Sequence, residues 1–417
     1  MTATLMAPDV VDRPAHRDGN VLRWLAAYTS SMVGDSVYYI ALSWAAVQAG
    51  SPTQAGLVMA ASALPRAVLM LGGGVIADRF GPHRVVIGSD VVRCAAVLAV
   101  AVLLFLTSPG LWPLAALALV FGAVDAVFVP AVGALPARVT SRDQLARVQG
   151  MRGLGIRFAS VVGGPLGGLG VALGGSAAAF GLAGLLIAVS VPLLVSVRIR
   201  EVPADDRTAE ARGTAWSDLT AGLRYIRGHR VLAPLMLAIA LGDLGFVGPL
   251  NIGLTLLADE RGWGAAGMGW MLAGFGVGAG AASLLLTVRG RLPHAGWVAA
   301  CTIIAGSVAI GALARAPGIV VAVGTALLVG LLAGLSGAMC GALLQTQADP
   351  AYLGRVTAVA SLVSLGLAPL SMPLSAAAIG VWGTGPVFVV SAVVCGLGGV
   401  VALCVPDLRR AELPKQP

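Results

Sequence analysis

Runs of about 20 apolar residues recur along nearly the whole chain, and that recurrence constrains the fold more than any other feature. A helix needs about 20 such residues to cross roughly 30 Å of hydrocarbon. The segments 177–197, 318–344 and 387–405 are clear runs, and others carry isolated charges but stay apolar over a full span. Twelve spans are predicted, at 21–48, 53–77, 85–107, 110–137, 147–173, 176–198, 231–258, 264–288, 295–315, 317–346, 353–381 and 385–405. Charged residues make up 11% of the 417, less than half of the roughly 25% that a soluble domain carries. The chain therefore reads as an all-α integral membrane protein.

Residue counts exclude several chemistries. The only Lys is Lys415, in the C-terminal tail. A P-loop ATPase needs a Lys to reach the phosphates, and Schiff-base chemistry needs one too. His16, His83, His229 and His294 all fall in polar loops, so no buried imidazole cluster is expected to ligate a metal. Cys94, Cys301, Cys340, Cys395 and Cys404 stand singly in apolar stretches, without a disulfide pattern. No nucleophile–base pair or cofactor motif is present, so neither an enzyme nor a cofactor is expected.

The net charge of +8 is distributed as in a membrane protein, not as in a nucleic-acid binder. With the N-terminus in the cytoplasm, 21 of the 27 basic residues fall in inside segments, and seven lie between Arg198 and Arg230 alone. That is the positive-inside pattern. The first twenty residues are polar and show no cleavable signal, so both termini are predicted to be cytoplasmic.

The chain divides into halves. The polar stretch 199–230 separates six spans from six, and Trp216, Leu219, Leu223, Tyr225 and Ile226 give part of it an apolar stripe. It reads as a linker followed by a surface-lying amphipathic helix. The predicted organisation is a tail at 1–20, a six-helix bundle at 21–198, the linker at 199–230, a second bundle at 231–405 and a tail at 406–417. At a fixed offset of 208, Gly133-Ala134-Leu135 matches Gly341-Ala342-Leu343, Leu145, Arg147 and Val148 match Leu353, Arg355 and Val356, and Gly34-Asp35 matches Gly242-Asp243. Two parallel six-helix repeats are a transporter design, with the substrate site between them near the midplane.

Between the second and third spans, Gly74-Val75-Ile76-Ala77-Asp78-Arg79-Phe80-Gly81-Pro82-His83-Arg84 resembles the signature loop of the major facilitator superfamily, with Pro82 in place of the usual basic residue. The chain is more finely similar to the macrolide-efflux and siderophore-exporter branch. That likeness rests on Gly34-Asp35, Ala63-Leu64-Pro65-Arg66, Ser89-Asp90-Val91-Val92-Arg93, Pro130-Ala131 and Leu135-Pro136. Gly164-Pro165-Leu166-Gly167-Gly168 is similar to the antiporter motif of the fifth span, shortened by one residue. The resemblance implies two pseudo-symmetric six-helix bundles in the major facilitator fold. It also implies a conformational gate at Gly74, Asp78, Arg79, Gly81 and Arg84, with Asp78 meeting the start of span eleven near Arg355.

A charge at the bilayer centre costs roughly 2.5–3.5 kcal/mol on insertion scales, so such residues are paired, hydrated or useful. The first half holds Asp35, Arg66, Asp90, Arg93, Asp125 and Arg157 within its spans. Asp90 and Arg93, spaced i, i+3, read as a local pair or gate element near the inner end of span three. Asp35 and Asp125, at mid-depth, are the candidate cavity carboxylates. Fixed ion pairs Asp35–Arg66 or Asp125–Arg157 are the competing reading. A carboxylate held between desolvation and a guanidinium can take a proton on one side and release it on the other. In the second half Asp243 is the only deep acid, and Asn251 is predicted to face a similar direction. Gly164, Pro165 and Gly168 read as helix packing or a hinge. Trp270, Met268 and Met271 are not expected to line a substrate pocket.

These features predict a monomeric secondary exporter of a small amphipathic compound (an antibiotic, natural product or siderophore), driven by protons, in the cytoplasmic membrane of a bacterium. Uptake of a small nutrient such as a sugar or amino acid is the alternative. The sparse polar groups of spans seven to twelve favour the former.

Overall fold

The computed structural model describes residues 15–107, 110–141, 144–199, 215–289, 294–349 and 352–412, without the side chains of residues 70–75, 77, 78, 146, 215–218 and 368. All regular structure among them is helical. Among the described residues, nine helices are long and apolar enough to cross a membrane. One of these, Arg147–Val195, is interrupted at Gly174 and Gly175, where Gly175 has φ 72° and turns the chain back. Gly19–Ala49 and Pro52–Phe80, 31 and 29 residues long, pack among the others. The total is the twelve predicted spans.

Local chemistry sets where spans end. Asp18 caps the first span by accepting from the Asn20 backbone N–H at 2.8 Å. Ser51 and Gln54 form a reciprocal capping box at the start of span two, followed by Pro52 at the first helical position. Gly81, at φ 84°, ends span two, and Pro82 begins span three (Pro82–Leu106) at once. Span three thus starts three residues before the predicted 85, which places Arg93 at its middle and not near its end.

The remaining spans are Trp112–Ala134, the two arms of the bent helix, Leu232–Glu260, Gly264–Arg289, Ala295–Leu313, Ile319–Gln347, Leu353–Trp382 and Thr384–Cys404. Span seven contains one π-helical turn, Pro249–Gly253. Within the first half, span one packs on five, two on four, three on six and three on four. Adding six to each number reproduces the second half: seven on eleven, eight on ten, nine on twelve and nine on ten. The repeat read at offset 208 is thus a repeat of packing.

The most extensive contacts between the halves are a related pair, span two with eleven and span five with eight. Small residues make the approach possible. A side chain at Gly164 would stand 2.6 Å from the Gly269 carbonyl, and one at Gly168 2.6 Å from that of Ala265. Ala215–Gly228 is the predicted amphipathic helix, and it rests on the start of span eleven. Its Ile226 is buried, Tyr225 stacks on Tyr352 at 4.4 Å, and a side chain at Gly222 would meet the Arg355 carbonyl at 2.9 Å.

Candidate substrate and proton site

A cavity of about 750 Å³ lies between the halves. It reaches Tyr28 and Arg152 toward the end of the bundle where span one begins and Asn20 hydrogen-bonds the backbone of Arg198. At the opposite end it is closed by spans one and seven. The Tyr39 hydroxyl donates to Asn251 Oδ1 at 2.5 Å, Ser43 meets Thr255 at 2.5 Å, and Gln48 Nε2 donates to Asp259 Oδ1 at 2.9 Å. Asn251, Thr255 and Asp259 recur every four residues, so they form one polar stripe along span seven. The Gly164 and Gly168 contacts complete this closure. Gly168→Val should wedge spans five and eight apart. The expected result is faster labelling of Gln48→Cys by a membrane-impermeant maleimide than in the Gly168 parent; unchanged labelling would remove Gly168 from the seal.

The charged wall of the cavity is built around Arg93, whose side chain is wholly inaccessible. Nη2 donates to Asp90 Oδ1 at 2.6 Å, and Nη1 donates to Asp35 Oδ2 at 2.7 Å and to Asp125 Oδ1 at 3.4 Å. The guanidinium carbon lies 3.8 Å from the ring centre of Phe128, a cation–π contact strengthened by desolvation. An isolated buried guanidinium would be prohibitive; here three carboxylates and an aromatic face surround it. Those carboxylates come from spans one, three and four, whose midpoints meet.

The three are not equivalent. Asp90 is buried behind Arg93 and also accepts hydrogen bonds from the hydroxyls of Ser31 and Ser190, so its position is fixed. Asp35 and Asp125 line the cavity, their side chains about one quarter exposed (25% and 24%). Among the described residues Asp35 Oδ1 and the Tyr38 hydroxyl have no hydrogen-bond partner. Arg66, 40% exposed on span two, approaches Asp125 at 3.8 Å. Three carboxylates therefore face two guanidinia within the cluster, and Arg152 and Arg157 line the same cavity further from it.

This arrangement differs from both ion pairs weighed on the sequence. Asp35 is bound by Arg93 and not by Arg66. Asp125 is shared by Arg93 and Arg66, while Arg157 crosses between the halves to Ser283 Oγ at 3.0 Å. The i, i+3 pair Asp90–Arg93 is present but sits at mid-depth. Asp243 and Asn251 do not face a common direction: Asn251 lines the central cavity, and Asp243 lines another cavity within the second half. The π turn that begins at Pro249 widens the helix between them and changes which residues share a face. Trp270 is half-exposed on the bundle surface, Met268 and Met271 are buried, and none lines the central cavity.

In the predicted gate, Arg79 and Arg84 are exposed around Gly81, and Arg79 lies 5.8 Å from the Phe80 ring. Arg355 lies over the Tyr352 ring at 5.4 Å. Gly74 lies in span two, and the Asp78 side chain falls outside the described residues. Among the described residues no group of three or more His, Cys, Asp or Glu side chains is arranged to hold a metal ion.

Comparison with known proteins agrees with this architecture. The chain is 27% identical over 416 residues to the multidrug efflux pump Tap of Mycobacterium tuberculosis strain H37Rv, covering 94% of each chain. It is also 27% identical over 311 residues to the enterobactin exporter EntS of an Escherichia coli O139:H28 strain, covering 73% of this chain and 72% of the exporter. A solved structure of a variant of the nucleoside transporter NupG superposes with a TM-score of 0.72 at 12% identity, covering 93% of this chain and 100% of that one; at that identity the likeness concerns the fold. The family model for the Major Facilitator Superfamily matches residues 24–364, and the chain, a multi-pass membrane transporter and not an enzyme, belongs to that family.

Proposed function

We propose that this transporter exports a small amphipathic compound from a bacterial cytoplasm in exchange for protons. The observation that carries the reading is the Arg93 cluster: two cavity-facing carboxylates, Asp35 and Asp125, share one nitrogen of a single buried guanidinium. Binding of a proton at Asp35 or Asp125 and binding of a cationic or hydrogen-bonding substrate compete for the same carboxylates. Competition for one site is what couples two ligands in exchange. One charge moving through about 100 mV is worth about 2.3 kcal/mol, a concentration ratio of roughly fifty.

The efflux pumps and siderophore exporters among the relatives support export, and so does the scarcity of polar groups on the second-half side of the cavity. The basic residues gathered at the end bearing the termini support a cytoplasmic location for that end. The closed Tyr39–Asn251 side then faces outward, and the cavity serves the cytoplasm. Asp78 at the end of span two is assigned to the gate that closes the inner side in the opposite state.

The test is accumulation of a panel of fluorescent dyes and antibiotics in cells making the protein, with and without a protonophore. Several-fold lower accumulation of at least one compound, abolished by the protonophore, is expected. Raised accumulation would overturn export in favour of the uptake alternative.

A further inference from the structure

The second half contains a cavity that the central site does not explain. It is a half-open cavity of about 600 Å³ among spans seven, nine, ten, eleven and twelve, with Phe246, Ile303, Ala333 and Gly337 in its largely apolar wall. This falls within the range of about 300–1,000 Å³ typical of small-molecule sites. The two cavities share Ser364 and Leu365 of span eleven as a common partition.

Asp243 projects into this second cavity. Its Oδ2 accepts from the Ser364 hydroxyl at 2.5 Å. Among the described residues no Arg, Lys or His lies within ion-pair distance of it. The described basic residues of spans seven to twelve, Arg289 and Arg355, stand at helix ends, far from mid-span.

The internal repeat shows what is missing. At offset 208 Asp35 corresponds to Asp243, but Arg93 corresponds to Cys301, Asp90 to Val298 and Asp125 to Ala333. In the first half the space beside the carboxylate is filled by a guanidinium and its partners. In the second half the carboxylate is kept, the cation is absent and a cavity occupies the space. A carboxylate this deep gains most from a cation that brings its own apolar surface, because a hydrated inorganic ion must shed water that the aliphatic wall cannot replace.

We propose that this cavity binds a lipophilic monocation, an amine whose ammonium group pairs with Asp243 and Ser364 while its apolar body fills the space between spans seven and ten. The assignment rests on the cavity and its carboxylate and is independent of the direction of transport.

The test uses the full chain in lipid nanodiscs and calorimetric titration with 1-naphthylmethylamine, cationic at neutral pH, and with its neutral isostere 1-naphthylmethanol. Wild type is expected to bind the amine about tenfold more tightly than the alcohol, the size of one charge-assisted hydrogen bond. Asp243→Asn should abolish that preference. Gly337→Leu should weaken both ligands, since Gly337 lines the cavity and a Cβ there meets nothing within 4 Å. Equal affinities in wild type would overturn the proposal, and so would a preference that survives Asp243→Asn, which would place the amine on the central carboxylates. Should Asp243→Asn not fold, undiminished amine binding by Gly337→Leu overturns it equally. Because no transport is measured, loss of export in cells with the amine preference intact would count against the export reading alone.

Discussion

Arg93→Met should leave a protein that is barely folded. The substitution keeps the length and most of the volume of the side chain but strands three carboxylates around it, one of them fully buried. Removing one partner of a buried ion pair costs about 3–5 kcal/mol, a large share of the roughly 5–15 kcal/mol that holds a domain together. The thermal midpoint of the detergent-solubilised protein should fall by about 10 °C. Adding Asp90→Asn should restore part of the loss, because Asp90 is the carboxylate with no route to the cavity. A single variant as stable as wild type would mean that Arg93 does not organise the first bundle.

Asp35→Asn should abolish uphill export while leaving the fold and downhill exchange in place. The amide keeps the shape of the carboxylate and still offers an oxygen to Arg93 Nη1, but it cannot alternate between proton and cation. Asp35 Oδ1 is buried without a hydrogen-bond partner, so a proton there would strand no existing bond. Asp125→Asn is expected to be the next most damaging change, because Asp125 shares Arg93 and adds Arg66. Asp243→Asn should spare proton coupling, since Asp243 lies outside the central cavity. Counterflow and gradient-driven transport in proteoliposomes separate these effects. Protonophore-sensitive uphill transport by Asp35→Asn would move the coupling role elsewhere.

The spans were legible because a helix in lipid must be apolar along its whole length, a signal that 20 residues carry without reference to partners. The two halves were legible because Gly34-Asp35 and Gly242-Asp243 keep a rare charge at one offset. The depth of Asp35 and Asp125 followed from helix rise. The pairing did not follow, because it depends on which midpoints meet laterally. Arg66 and Arg157 lie deeper in the predicted spans than Arg93, yet the packing of span three against spans four and six brings Arg93 between Asp35 and Asp125. Reading Gly81-Pro82 as an immediate helix restart would have moved Arg93 to mid-depth and made it a candidate hub. The separation of Asp243 from Asn251 had no comparable signal, since one π turn around Pro249 redirects the face.

The most direct measurement of the account is transport in proteoliposomes whose lumen is made acidic, using a compound that the cell assay identifies as exported. Exchange predicts that the compound accumulates in the acidic lumen as protons leave, beyond the level in protein-free vesicles, and that nigericin collapses the accumulation. Movement of the compound out of the lumen together with protons, or transport indifferent to the pH gradient, would contradict it.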